Sequence, residues 1–100
     1  KMQQLKFALS LAQKAGKIAS GDMGVEMSLR KNKVKLLIIA QNAAESTKKS
    51  LYSLAQNKSI PTYEIFNKDE LGMMIGKAPR AALAILDKNF VVMVEKYMKK

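Results

Sequence analysis

One hundred residues with 48% hydrophobic content are enough for one domain, residues 1–100, with a core of its own. The absence of Cys and His excludes disulfides, thiolate nucleophiles, Cys/His zinc centres and imidazole acid–base catalysis. Lys and Arg outnumber Asp and Glu by 18 to 8, a net +10, and residues 1–60 alone hold 11 basic against 3 acidic residues. A small chain so charged favours polyanionic partners.

Leu5, Ala8, Leu9 and Ala12 recur at helical spacing and predict a helix from Gln3 to Ala15, with Phe7 and Leu11 widening its apolar stripe. Gly16 is its left-handed stop, and Lys14 complements the dipole in the last turn. Lys17-Ile18-Ala19 reads as a short extended piece. The turn Ser20-Gly21-Asp22-Met23-Gly24 feeds a second helix, capped by Ser20 or Asp22, with Val25 and Leu29 inward and Asn32 at its end.

Val34-Lys35-Leu36-Leu37-Ile38-Ile39-Ala40 is an apolar run rich in β-branched residues. Four consecutive apolar residues after Lys35 leave no wet face, so this strand belongs inside a sheet covered on both sides. Asn42 with Glu45 resembles a capping box opening a helix to Asn57, with Ala44, Leu51, Leu54 and Ala55 inward. Ile60-Pro61 breaks the chain before a strand from Thr62 to Phe66. Asn67 and Glu70 repeat the capping signal for a short helix that buries Leu71, Met74 and Ile75 and stops at Gly76; Met73 and Met74 read as core filler. Pro79 lies in the next loop. Ala81 to Leu86 is a second wholly apolar strand, and Asp87 caps a last helix facing inward through Phe90, Val91, Val94 and Met98. Strands alternating with helices predict an α/β chain with helices on both faces of the sheet.

No apolar run approaches the ~18 residues of a membrane span. The first residues read as a polar helix start rather than a signal peptide, so the expected location is cytoplasmic, with no membrane partner. The carboxylates assemble no acid, base or metal site. Asp22 and Glu26 share a helix face near an N-terminus, and Asp69-Glu70 sits in a first turn, where negative charge suits the dipole. No phosphate loop is present, and Gly21–Gly24 has too few glycines for a dinucleotide site. An enzyme is not expected, nor a cofactor or metal.

Three clusters suit a polyanion. Lys14 and Lys17 accompany the turn Gly21–Gly24, where helix-start amides and small residues admit a sugar-phosphate chain. Arg30, Lys31, Lys33 and Lys35 precede the central strand. Gly76-Lys77-Ala78-Pro79-Arg80 is a cationic loop that its proline pre-orders. The turn at Gly21 and the segment Gln41-Asn42 both leave strands for helices and share one sheet edge if those strands are parallel. The Gly76–Arg80 loop runs from helix to strand, and topology alone does not put it there. The aromatic residues form no stacking platform, which favours folded RNA held by loops and phosphates. The expectation is a cradle of cationic connections around one sheet edge, on a monomer that binds structured RNA. The alternative is a module docking on an acidic protein, with RNA incidental.

Ser20-Gly21, the run Val34 to Ala43, Ile60-Pro61, Leu71-Gly72, Ile75-Gly76-Lys77 and Ala82-Leu83-Ala84-Ile85 occur in an order and spacing that resembles the ribosomal protein seven-Ae family. The resemblance covers Leu5 to Val94. It implies a three-layer α/β/α sandwich around a mixed four-stranded sheet and binding of kink-turn RNA, ribosomal RNA included, by a bacterial member. It puts Gly21 at the family's loop-start glycine, Val25 at its buried helical valine and Lys35 at the lysine before the central strand. Gln41 falls where many members carry an acidic residue near a flipped-out base, and Gly76–Arg80 on the second RNA-facing loop. Kink-turn binders carry Asn-Glu after the glycine position and a Lys three residues later, which read sheared G·A pairs. Here those places hold Met23, Gly24 and Met27, whose side chains supply none of those hydrogen bonds. The cationic clusters and the resemblance together give the expected RNA contacts: Lys14, Lys17, Gly21, Asp22, Met23, Gly24, Arg30, Lys31, Lys35, Gln41, Lys77, Ala78, Pro79 and Arg80.

Overall fold

The computed structural model describes residues 2–98. Five helices and four strands follow in the order α1 (Met2–Lys14), β1 (Ile18–Ser20), α2 (Asp22–Arg30), β2 (Leu36–Ile39), α3 (Glu45–Ala55), β3 (Thr62–Glu64), α4 (Lys68–Met74), β4 (Ala82–Ile85) and α5 (Lys88–Met98). The strands make one mixed sheet in the order β1-β4-β2-β3. β2 and β3 are parallel, with Leu37 opposite Thr62. β4 is antiparallel to both its neighbours, with Ala82 opposite Ile39 and Leu83 opposite Ser20. α1 packs on α4 and α5 in one outer layer, and α2 packs on α3 in the other, which gives the three-layer sandwich.

All four residues of β2 and all four of β4 are buried. No polar or charged residue is buried among the described residues, so the two strands are held by apolar contact on both faces. Each fully buried Leu or Ile contributes about 1.5–3 kcal/mol. The ladder is shorter than the apolar runs predict. Val34 and Ala40 remain buried, yet they lie outside the β2 ladder. β3 ends at Glu64 because the chain turns at Phe66, whose φ of 64° is left-handed.

Helix ends explain most of the remaining geometry. Gly16 and Asn32 both adopt left-handed φ. After α1 the N–H of Lys17 reaches the Ala12 carbonyl and that of Gly16 the Gln13 carbonyl; after α2 Lys33 and Asn32 repeat the pattern to Ser28 and Leu29. Asn67 and Glu70 form the predicted capping box, each side chain accepting from the other residue's backbone N–H at 2.8 and 2.9 Å. The corresponding prediction for Asn42 and Glu45 is corrected. α3 is capped by Ala44 without a side-chain bond, while Asn42 Oδ1 accepts from the Lys68 N–H at 2.9 Å and so serves the start of α4. α2 likewise has no side-chain cap: its N-cap is Gly21, and Asp22 is its first residue. Phe7, Met73 and Ala44, expected inside, are exposed. The polar side of Ser10 faces the end of α4, with its Oγ donating to the Met74 carbonyl.

The loop after α4 folds back along its own helix. Lys77 N–H reaches the Gly72 carbonyl and Arg80 N–H the Lys68 carbonyl. A Cβ at Gly72 would lie 2.3 Å from the Ala78 carbonyl oxygen, so only glycine lets this loop close. Gly72→Ala is therefore expected to cost about 1–3 kcal/mol in urea unfolding. Gly24→Ala, whose Cβ meets nothing within 4 Å, is expected to be neutral or to gain up to about 1 kcal/mol.

Candidate nucleic-acid interface

Because β4 is antiparallel to β1 and β2, the chain reaches its first residue at the edge where β1, β2 and β3 end. The Gly76–Arg80 loop, which simple topology left unplaced, therefore finishes beside the glycine turn. Hydrogen bonds tie this edge together. Gly21 N–H donates to the Ala82 carbonyl, Ala40 N–H to Ala81, and Gln41 N–H to Phe66, at 2.8–3.0 Å. Arg80 Nε donates to Ser20 Oγ at 3.2 Å, and its Nη1 to the Ala78 and Pro79 carbonyls. Arg80 thus spends part of its five-proton fork fastening the loop, and Nη2 has no partner among the described residues.

A cleft of about 430 Å³ opens here, lined by Ser20, Gly21, Asp22, Met23, Gly24, Lys68, Pro79, Arg80 and Ala81. Gly21 has φ 81° and ψ 160°, a conformation essentially reserved for glycine. It turns the chain directly from β1 into α2. Met23 and Met27, four residues apart on α2, are 80% and 57% exposed beside this turn. Lys77 and Ala78 lie further back along α4, near Gly72.

Gln41 is exposed at the same edge, and a three-residue cluster holds its backbone. Lys48 Nζ donates to the Gln41 carbonyl at 2.7 Å and to Glu64 Oε2 at 3.0 Å, and Tyr52 Oη donates to Glu64 Oε1 at 2.9 Å. The Lys48 hydrogen bond, then that of Tyr52, holds the Glu64 carboxyl below its usual range. The same hydrogen bond to Glu64 raises Lys48, while partial burial, then Glu64, raises Tyr52. Sequence reasoning placed Asn42 at this edge but missed Lys68, Lys48 and Glu64. Lys68 had one signal, its position beside the Asn67 cap; the others meet only through the fold.

The remaining predicted contacts lie at the opposite end of the sheet. Lys17 precedes β1 and Lys35 precedes β2, while Lys14 ends α1 and Arg30 ends α2 with Lys31 as its C-cap. Lys35 N–H pairs with the Ile85 carbonyl, at the last residue of β4. The expected single cradle is thus corrected to two separate edges, with α2 running from one to the other. The glycine edge is near neutral. Lys48, Lys68 and Arg80, with Lys77 further back, accompany Asp22, Glu45, Glu64, Asp69 and Glu70, all but Glu64 in the first turn of α2, α3 or α4.

The Ribosomal protein L7Ae/L30e/S12e/Gadd45 family matches residues 3–94. The chain belongs to this family. Two family relatives are called RNA-binding protein YlxQ. That of Enterococcus faecium is 34% identical over 82 residues, covering 82% of this chain and 79% of the relative. That of Bacillus subtilis (strain 168) is 29% identical over 82 residues, covering 82% of each. A solved structure of a protein with unknown function from Bacillus halodurans superposes with a TM-score of 0.88 at 26% identity over the whole of both chains.

The Glu64 cluster gives this family member a pH-dependent brace. A carboxyl lowered on folding adds stability above its unfolded value, 4.5 here, and loses it as pH falls through the folded value. The melting-temperature gap between the wild type and Glu64→Gln is expected to be full near neutrality and to close below about pH 4. A gap unchanged at low pH would discount the brace.

Proposed function

We propose that this protein is a non-enzymatic RNA-binding protein that acts as a monomer and grips structured, kink-turn-like RNA, ribosomal RNA included, at the glycine edge. The observation that carries this reading is the convergence of the Gly21 turn, the open start of α2 and the Pro79-Arg80 end of the return loop around one cleft. The names of the two YlxQ relatives support the choice of RNA. No helix among the described residues is long and apolar enough to cross a membrane.

Gly21 and Gly24 let a bent sugar-phosphate chain approach the backbone, and the start of α2 offers N–H groups and a positive dipole end. Arg80 Nη2 and Lys68 meet phosphates on either side. Met23 and Met27 present polarisable thioethers to an unstacked base where other kink-turn binders use hydrogen bonds. Recognition then rests on the shape of the bend more than on the G·A pairs.

The test compares a kink-turn RNA with the same sequence lacking its bulge, by fluorescence anisotropy. The kinked RNA is expected to bind more tightly, and Lys68→Gln with Arg80→Gln to remove that preference. Equal affinity of the wild type for both RNAs would refute the reading. Installing Met23→Asn, Gly24→Glu and Met27→Lys together is expected to strengthen kink-turn binding about tenfold or more, since a matched polar contact to a base is worth about 1–3 kcal/mol.

A further inference from the structure

The cations stranded away from the glycine turn have company that the sequence reading did not give them. Two clefts adjoin at the far end of the sheet and share Asn32 and Lys35. One, about 410 Å³, is lined by Gly16, Lys17, Asn32, Lys33, Lys35 and Leu86. The other, about 510 Å³, adds Lys58 and Lys88 on its walls. With Lys14, Arg30 and Lys31 at the adjacent helix ends, this edge gathers eight cations, and among the described residues the only carboxylate in its connections is Asp87, which caps α5 through the Asn89 N–H. None of the eight has a carboxylate within 4 Å among the described residues, where Lys48 alone makes ion pairs.

Helix dipoles do not account for the excess. α1, α2 and α3 end at this edge, each bringing roughly half a negative charge, and α5 begins here with roughly half a positive one. That balance offsets about one charge of the formal surplus. Lys58 does serve as a tie, its Nζ donating to the Leu29 carbonyl at 2.7 Å and to Asn32 Oδ1 at 2.9 Å. Those are neutral acceptors, so its charge remains available. The row follows the whole width of the sheet end, from Lys17 before β1 to Lys58 before β3, or about 14 Å at ~4.8 Å per strand.

We propose that this far edge is a second, sequence-independent phosphate-binding surface. It holds the backbone of an RNA helical arm, and most of the salt-sensitive affinity resides there while the glycine edge reads shape. The protein measures about 30 × 26 × 25 Å, so one arm of a bent RNA, or a neighbouring helix in a larger fold, can reach it. RNA is favoured over an anionic bilayer because the cations flank clefts, and among the described residues the one large apolar side chain strongly exposed at this edge is Val92. The choice of RNA as the polyanion rests on the proposed function; the surface itself does not.

The test uses plain duplex RNA without a kink-turn, so that shape reading at the glycine edge contributes nothing. Lys17→Gln, Lys33→Gln and Lys35→Gln are combined and compared with a charge-matched triple on helix flanks, Lys6→Gln, Lys49→Gln and Lys96→Gln. Affinity is measured against salt. The far-edge triple is expected to reduce the slope of log K against log salt by about 2, at 0.7–0.9 per phosphate, and the control triple by less than one. Equal losses from both triples, or an unchanged slope, would overturn the proposal. So would far-edge loss of binding to phosphatidylserine vesicles with duplex RNA binding intact. Failure of the glycine-edge reading looks different: kinked and straight RNAs would bind equally while the far-edge triple still lowered the salt slope.

Discussion

The ladder between Leu36–Ile39 and Ala82–Ile85 is the constraint from which the functional geometry follows. Both strands are apolar on both faces, so each must lie inside the sheet, and side by side they bury one another's flanks. The antiparallel pairing has a consequence beyond stability. A helix-to-strand connection now arrives where strand-to-helix connections depart. Arg80 consequently meets Ser20 across 60 residues of sequence. If β4 were parallel to β2, the return loop would open at the far end and the glycine turn would have no second wall.

The same alternation of directions sorts charge. Helices α2, α3 and α4 all begin at the glycine edge, and their first turns carry Asp22, Glu45, Asp69 and Glu70. Helices α1 and α2 finish at the far edge, in Lys14 and Arg30. Each placement is locally favourable by a few tenths of a kcal/mol to about 1 kcal/mol. Added over the fold, they leave one edge near neutral and the other strongly positive. Eight of the 18 Lys and Arg residues thus gather at one end of the sheet. The glycine turn and the larger cluster of cations therefore lie at opposite ends of the sheet.

Local signals were legible to the extent that their partners are local. Asn67 and Glu70 form their capping box because both partners lie within four residues. Gly16 and Asn32 stop their helices because left-handed φ is a property of one residue and its neighbours. Asn42 has the same Asn-x-x-Glu spelling and fails, since Lys68 N–H, 26 residues away, competes for its Oδ1. Phe7 fits the helical stripe of α1 but lies on the side that α4 and α5 leave open. The cluster of Lys48, Tyr52 and Glu64 had no sequence signal, because it joins α3 to β3 through side chains alone.

The amino-acid order by itself determined the number and sequence of elements, the two strands that must be buried, and most helix ends. Those depend on periodicity, φ preference and capping, which act over a few residues. It also determined that a polyanion is the partner to expect, because net charge needs no fold. Only the tertiary structure decided which loops share an edge and which cations stand together. Those facts turn on the direction of β4, and strand direction is set by long-range ladder pairing and packing that no short window of sequence contains.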